Sequence, residues 1–244
     1  MNKFRSIVVR LLSAALLILP VPLIVLNASA ADAVTVSSPL ALQNGWTNAP
    51  FATSNATVFN LSGIVTFSGA IATSGTNAVP FTLPASLRPA TNVYVPVDLC
   101  NATNGRLIIA PTGVVTVQAE SAFSNAQCFT SLDGASFALT ANSPLALQNG
   151  WTNAPFSTGN AAVKNIGGIL HLKGAIATGG TNPVAFTLPA GFRPPTNVYV
   201  PVDLCNATNG RLFIAPTGVV TVQAESSFSN AQCFTSLDGA FFAQ

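Results

Sequence analysis

The sequence is poor in charge. Asp, Glu, Lys and Arg make up 7% of its 244 residues, against about 25% in ordinary soluble domains. Of nine basic residues, Lys3, Arg5 and Arg10 fall in the first ten positions. The rest of the chain is therefore faintly acidic and carries no basic patch, which excludes a phosphate-reading surface and makes nucleic acid an unexpected partner. Histidine occurs once, at His171. Helical periodicity is missing beyond the N-terminal segment, which speaks against a helical or α/β fold. Long apolar runs are missing too, except at the start.

That start has a recognisable shape. The three basic residues precede a run from Leu11 to Leu26 broken only by Ser13, Pro20 and Pro22, and Ala28-Ser29-Ala30 follows. A basic head, an apolar middle and small residues at the end predict a secretory signal over residues 1–30, cut after Ala30. An uncleaved anchor is the alternative. The run is short of the ~20 apolar residues of a span, and its prolines weaken a helix. The expected localisation is secreted, with no membrane span after cleavage.

What the chain has in abundance is repetition. Trp46 recurs at Trp151, Cys100 at Cys205, Cys128 at Cys233 and Asp133 at Asp238, all at one constant offset without a gap. Residues 37–139 and 142–244 thus form two copies, with about four in five positions identical. Only Thr140 and Ala141 lie between them, so the copies are expected to stack end to end rather than swing freely.

Within each copy the period is two. Val93, Val95 and Val97 alternate with Tyr94, Pro96 and Asp98, and Leu170 and Leu172 with His171 and Lys173. Such alternation marks half-buried strands. Turn signals at Asn104-Gly105, Pro111-Thr112-Gly113 and Asp133-Gly134 separate the runs. Strands are predicted near 39–43, 56–60, 63–72, 79–83, 92–98, 105–110, 113–119 and 128–139. The expected fold is all-β: two tandem jelly-roll-like antiparallel β-sandwich domains. Pro96 and Pro201 cannot donate to a ladder, so their strands belong at an edge or carry a bulge.

Each copy holds two cysteines. In an exported chain an even count predicts disulfides, and four cysteines allow three pairings. Pairing Cys100 with Cys128 and Cys205 with Cys233 gives each copy its own staple. A zinc site is the weaker reading, because two thiols without a nearby histidine make a poor ligand set. No metal or other cofactor is expected.

Several phrases occur together: Leu42-Gln43-Asn44-Gly45-Trp46, then Gly167 to Gly174 around His171, Leu188-Pro189-Ala190-Gly191-Phe192-Arg193-Pro194, and Thr235-Ser236-Leu237-Asp238-Gly239. In this order they resemble the C-terminal receptor-binding domains of phage tail-fibre proteins. The resemblance implies a compact β-sandwich that often trimerises and often binds surface saccharides. The first copy departs from it, with Thr66 in place of His171 and Ser86-Leu87 in place of Gly191-Phe192. The signal segment, the tandem and the cysteines are further departures, and they point to life outside the cell.

No acid, base and nucleophile set recurs in both copies, so no catalytic residue is assigned and an enzyme is not expected. Asp98, Glu120 and Asp133, with Asp203, Glu225 and Asp238 in the second copy, read as turn and surface carboxylates, with calcium or sugar contacts as the alternative. The candidate ligand-binding residues are aromatic. Trp46 and Trp151, beside Asn44, Thr47 and Asn48 in the first copy, either pack against a sheet or offer a flat face to a sugar. Tyr94 and Tyr199 oppose the valines of their strands and so face outward. The expected function is a secreted, non-catalytic binding protein that recognises glycans or another cell-surface polymer through both copies. The alternative is a self-associating structural component of the surface or extracellular matrix.

Overall fold

A computed structural model describes residues 34–244; the signal predicted at 1–30 lies outside the described residues. The fold is all-β with short helical turns. In the first copy a four-stranded antiparallel sheet runs in the order Val34–Pro39, Thr57–Leu61, Ile64–Ser68, Ser136–Ala138. A seven-stranded sheet runs Trp46–Asn48, Ala70–Thr73, Thr130–Ser131, Val93–Leu99, Thr103–Ile109, Val114–Ala119, Phe81–Thr82. The second copy repeats this arrangement. Its larger sheet is parted into three and four strands, which a single bridge between Leu204 and Thr235 connects.

The period-two residues do what their spacing predicts. Val93, Val95, Val97 and Leu99 are buried while Tyr94, Pro96 and Asp98 point away from the core. Each copy has its own apolar cluster. Val58, Phe67, Phe81 and Leu107 lie in the first; Val163, Leu172, Phe186 and Leu212 occupy the matching places in the second. Burying such side chains contributes about 1.5–3 kcal/mol each, so each copy has the core it needs.

Three expectations need correcting. The strand predicted over 63–72 is broken at Gly69. There φ is +91° and a Cβ would lie 2.5 Å from the carbonyls of Ser54 and Asn55. Only glycine fits, and the chain uses it to cross from the smaller sheet to the larger. The strand predicted at 39–43 falls instead at Val34–Pro39. The strand predicted from 128 begins later, because Phe123–Cys128 is a helix. Six residues are too few to show a helical stripe. The helix buries Ala126, and Thr130 Oγ1 donates to the Ala126 carbonyl.

Both disulfides join the expected partners, Cys100 with Cys128 and Cys205 with Cys233. In each copy the bond ties the helix to the turn after the proline strand. Two disulfides fit an oxidising, extracellular environment. Among the described residues no helix is long and apolar enough to cross a membrane.

The proline strands lie where they must. Val93–Leu99 pairs along its whole length with Thr103–Ile109 on one side, and on the other only through Leu99 with Thr130. The backbone from Asn92 to Asp98 is therefore an open edge of its own sheet. Val198–Asp203 is likewise last in its sheet.

Candidate functional site: one face, engaged in the first copy and open in the second

The outward face of the proline strand is where the copies meet. Cross-strand register sets Arg106 between Pro96 and Gln118. Gln118 Oε1 accepts from Arg106 Nε and Nη2 at 3.1 and 2.9 Å. The guanidinium carbon stands 5.0 Å from the Tyr94 ring centroid. The remaining nitrogen, Nη1, reaches into the second copy, donating to Asp203 Oδ2 at 2.9 Å and to the Leu204 carbonyl at 3.2 Å. Arg106 is 9% exposed and Asp203 2%, so this ion pair is almost wholly desolvated.

Other groups follow the arginine. Phe234 packs edge-on to Tyr94 at 4.9 Å. Ser236 Oγ donates to the Tyr94 carbonyl at 2.6 Å. The Asn92 amide donates to the Ser157 carbonyl, and Asn92 Nδ2 to the Phe156 carbonyl. The second copy thus satisfies the Asn92 amide and the Tyr94 carbonyl at the open edge. Lys164 Nζ donates to the Ser62 carbonyl and Lys173 Nζ to the Ala138 carbonyl. The contact is made by an outward sheet face, and the end-to-end stacking expected from the short linker is not what is found.

No known family, curated protein or solved structure matches this chain. The site is therefore read from its own internal control, the second copy of the same face.

In the second copy nothing among the described residues covers that face. Arg211 Nε donates to Gln223 Oε1 at 2.7 Å, and its guanidinium carbon lies 4.9 Å from the Tyr199 ring centroid. This is the geometry of Arg106 with Gln118 and Tyr94, formed without a partner. Arg211 is exposed and Tyr199 is 56% exposed. They border an open groove of about 860 Å³, lined also by Pro201, Asn209, Gln223 and Phe228. The first copy is open at the opposite half of the contact. Asp98 and Asp133 are exposed, whereas their counterparts Asp203 and Asp238 are 2% and 1% exposed; the surface role expected of these two is corrected, because the contact between the copies takes them out of water. Phe51 is 75% exposed and packs on Phe129 at 5.9 Å, as Phe156 packs on Phe234 at 5.7 Å.

The two tyrosines singled out in the sequence are thus separated in role: Tyr94 is held in the contact and Tyr199 is open. The tryptophans take the packing alternative. Trp46 and Trp151 are 4% and 5% exposed, and their Nε1 atoms donate to the Asn77 and Asn182 carbonyls. Neither ring is available to a sugar. Sequence reading missed Arg106 and Arg211. Their position directly after Asn-Gly, which the structure places within a strand rather than in the expected turn, and opposite an outward proline was the signal that could have found them.

The remaining polar candidates have local partners. Asp133 Oδ1 accepts from Ser68 Oγ and the Gly69 amide. Glu120 accepts from Asn104. His171 is half-buried beside Phe241, and burial, then Lys164, lowers its pKa below the usual imidazole value. Among the described residues no three His, Cys, Asp or Glu side chains gather where they could hold a metal.

Two buried carboxylates give the contact a pH dependence. Burial pushes Asp203 up to about 7 against the pull of Arg106. It does the same to Asp238, against Lys173 and the Gly174 amide, and Asp238 Oδ2 has no hydrogen-bond partner. Because the folded pKa lies above the unfolded one, the native state holds more protons between about pH 4 and 7. Stability therefore falls as pH rises through that window and levels off above it. Melting at pH 5 should exceed melting at pH 8, each group contributing roughly 1–3 kcal/mol. Asp238→Asn should flatten its share of the profile.

Proposed function

We propose that this chain is an exported, non-catalytic binding protein whose working surface is the open groove at Tyr199, Arg211 and Gln223. One observation carries the reading: in the first copy the same three residue types already hold a protein surface, and in the second they stand in a closely similar geometry with no partner among the described residues. A face formed before binding loses little freedom on engagement. Its chemistry asks for a carboxylate to meet the free guanidinium nitrogens, an aromatic edge to meet the tyrosine ring, and donors for an open strand edge. That describes a macromolecular surface better than a small molecule. Export rests on residues 1–30 and on the disulfides. The binding role accords with the likeness to receptor-binding tail domains, but recognition is now assigned to one groove per chain rather than to two equal sites.

The test uses the oxidised chain lacking residues 1–30, immobilised and exposed to the extracellular proteins of its own culture and, separately, to a glycan array. Protein capture should be lost in both Tyr199→Ala and Arg211→Ala. Unchanged capture in both variants would refute the reading. Saccharide binding that depends on Tyr199, with no protein captured, would replace it with carbohydrate recognition.

A further inference from the structure

Resting on that reading, we propose that the occupant of the groove is a second copy of this chain, docked reciprocally so that Arg211 of each chain meets Asp98 of the other. The contact between the copies is heterologous: one half carries Tyr94 and Arg106, the other Asp203 and Phe234. A single heterologous contact between two near-identical units always leaves one half of each kind unused. Here the unused halves are Tyr199 with Arg211, and Asp98 with Phe129. Every side chain at the centre of the engaged contact has an identical counterpart in the unused one: Tyr94 and Tyr199, Arg106 and Arg211, Gln118 and Gln223, Asp203 and Asp98, Phe234 and Phe129, Ser236 and Ser131. The chain therefore displays a surface and its complement at once, including the charge pair.

The placement of the halves favours a closed pair of chains over a filament. The groove beside Arg211 includes Pro201 and Asn209. Those two residues also line a cleft of about 500 Å³ that reaches Asp98 and Asp133. Both unused halves thus open on neighbouring clefts, and a twofold partner can cover both. Docking would supply a carboxylate for Arg211, cover for the exposed Phe51 beside the half-buried Phe129, and partners for the backbone at Asn197 and Tyr199.

The copies differ at the rim of the contact. Lys164 and Lys173, which bond the first copy's carbonyls, correspond to Phe59 and Ser68, and Ser136 corresponds to Phe241. Phe241 is 45% exposed. The chain-to-chain contact thus lacks the two lysine bonds of the rim and gains Phe59 and Phe241 there, so the two contacts share a centre without being identical.

Sedimentation velocity of the oxidised chain lacking residues 1–30, from low to high micromolar concentration, tests this. A species of twice the chain mass is expected. Arg211→Asp and Asp98→Arg should each weaken it at least about 100-fold. Both changes in one chain should restore it to within about tenfold, because the pair is regenerated with its charges exchanged. Both positions are exposed, so melting curves of the dilute single variants should match the wild type and exclude misfolding. A monomer at every concentration, growth beyond the pair, or a dimer indifferent to both changes would overturn the proposal. Capture of a different protein that requires Arg211 but not Asp98 would overturn it too, while leaving the binding reading intact.

Discussion

Arg106→Ala should destabilise the protein by about 3–5 kcal/mol, and Arg211→Ala by less than about 1 kcal/mol. The two arginines occupy matching positions in near-identical sequence, each bond the matching glutamine through Nε and stand over the matching tyrosine, and differ chiefly in what they face. Arg106 faces Asp203 in a desolvated contact, whereas Arg211 faces solvent. Removing Arg106 leaves a buried carboxylate without its charge partner and strips the Leu204 carbonyl of a donor. For a chain of this size each kcal/mol lowers the melting temperature by roughly 2–4 °C, so the first variant should melt about 6–20 °C earlier. Adding Asp203→Asn to Arg106→Ala should recover part of the loss, because the uncompensated charge is then gone. Thermal melts of the four proteins at pH 8 decide the matter. Equal effects of the two arginine substitutions would mean that the copies do not engage as described.

The second large effect concerns the disulfides. Each closes a segment between cysteines 28 positions apart, and in the chain-entropy model such a loop stabilises by roughly 3–4 kcal/mol. Replacing Cys100 and Cys128 together by serine should lower stability by that amount, and so should the Cys205 and Cys233 pair. Losing both should approach the whole stability of an ordinary domain. Denaturant titration of the two double variants, beside the wild type with and without reductant, measures this. A wild type whose midpoint is unmoved by reductant would show that the apolar cores alone carry the fold.

Much of the fold was legible because its causes are local. Alternation at Val93–Asp98 marked a strand and its two faces, and Pro96 narrowed its place to an edge or a bulge, of which the structure shows the edge. The repeat made one staple per copy the preferred of three cysteine pairings, and the disulfides follow it. Local patterns did not reveal the break at Gly69, since the residues on both sides continue the same alternation. The burial of Trp46 was undecided because Asn44, Thr47 and Asn48 around it suit either a surface or a packed turn. The contact between the copies lay further out of reach. Tyr94 and Tyr199 sit in identical local sequence, so no reading of neighbours can tell which is covered. The difference comes from tertiary geometry. Lys164 and Lys173, absent from the matching positions of the first copy, are sequence differences that fall on the side that reaches across.

The most direct test of the one-sided contact is carbodiimide labelling of carboxyl groups in the dilute oxidised chain, read residue by residue by mass spectrometry. Asp98 and Asp133 should label quickly, Asp203 and Asp238 slowly, although the copies are nearly identical in sequence. Equal labelling of Asp98 and Asp203 would contradict the account.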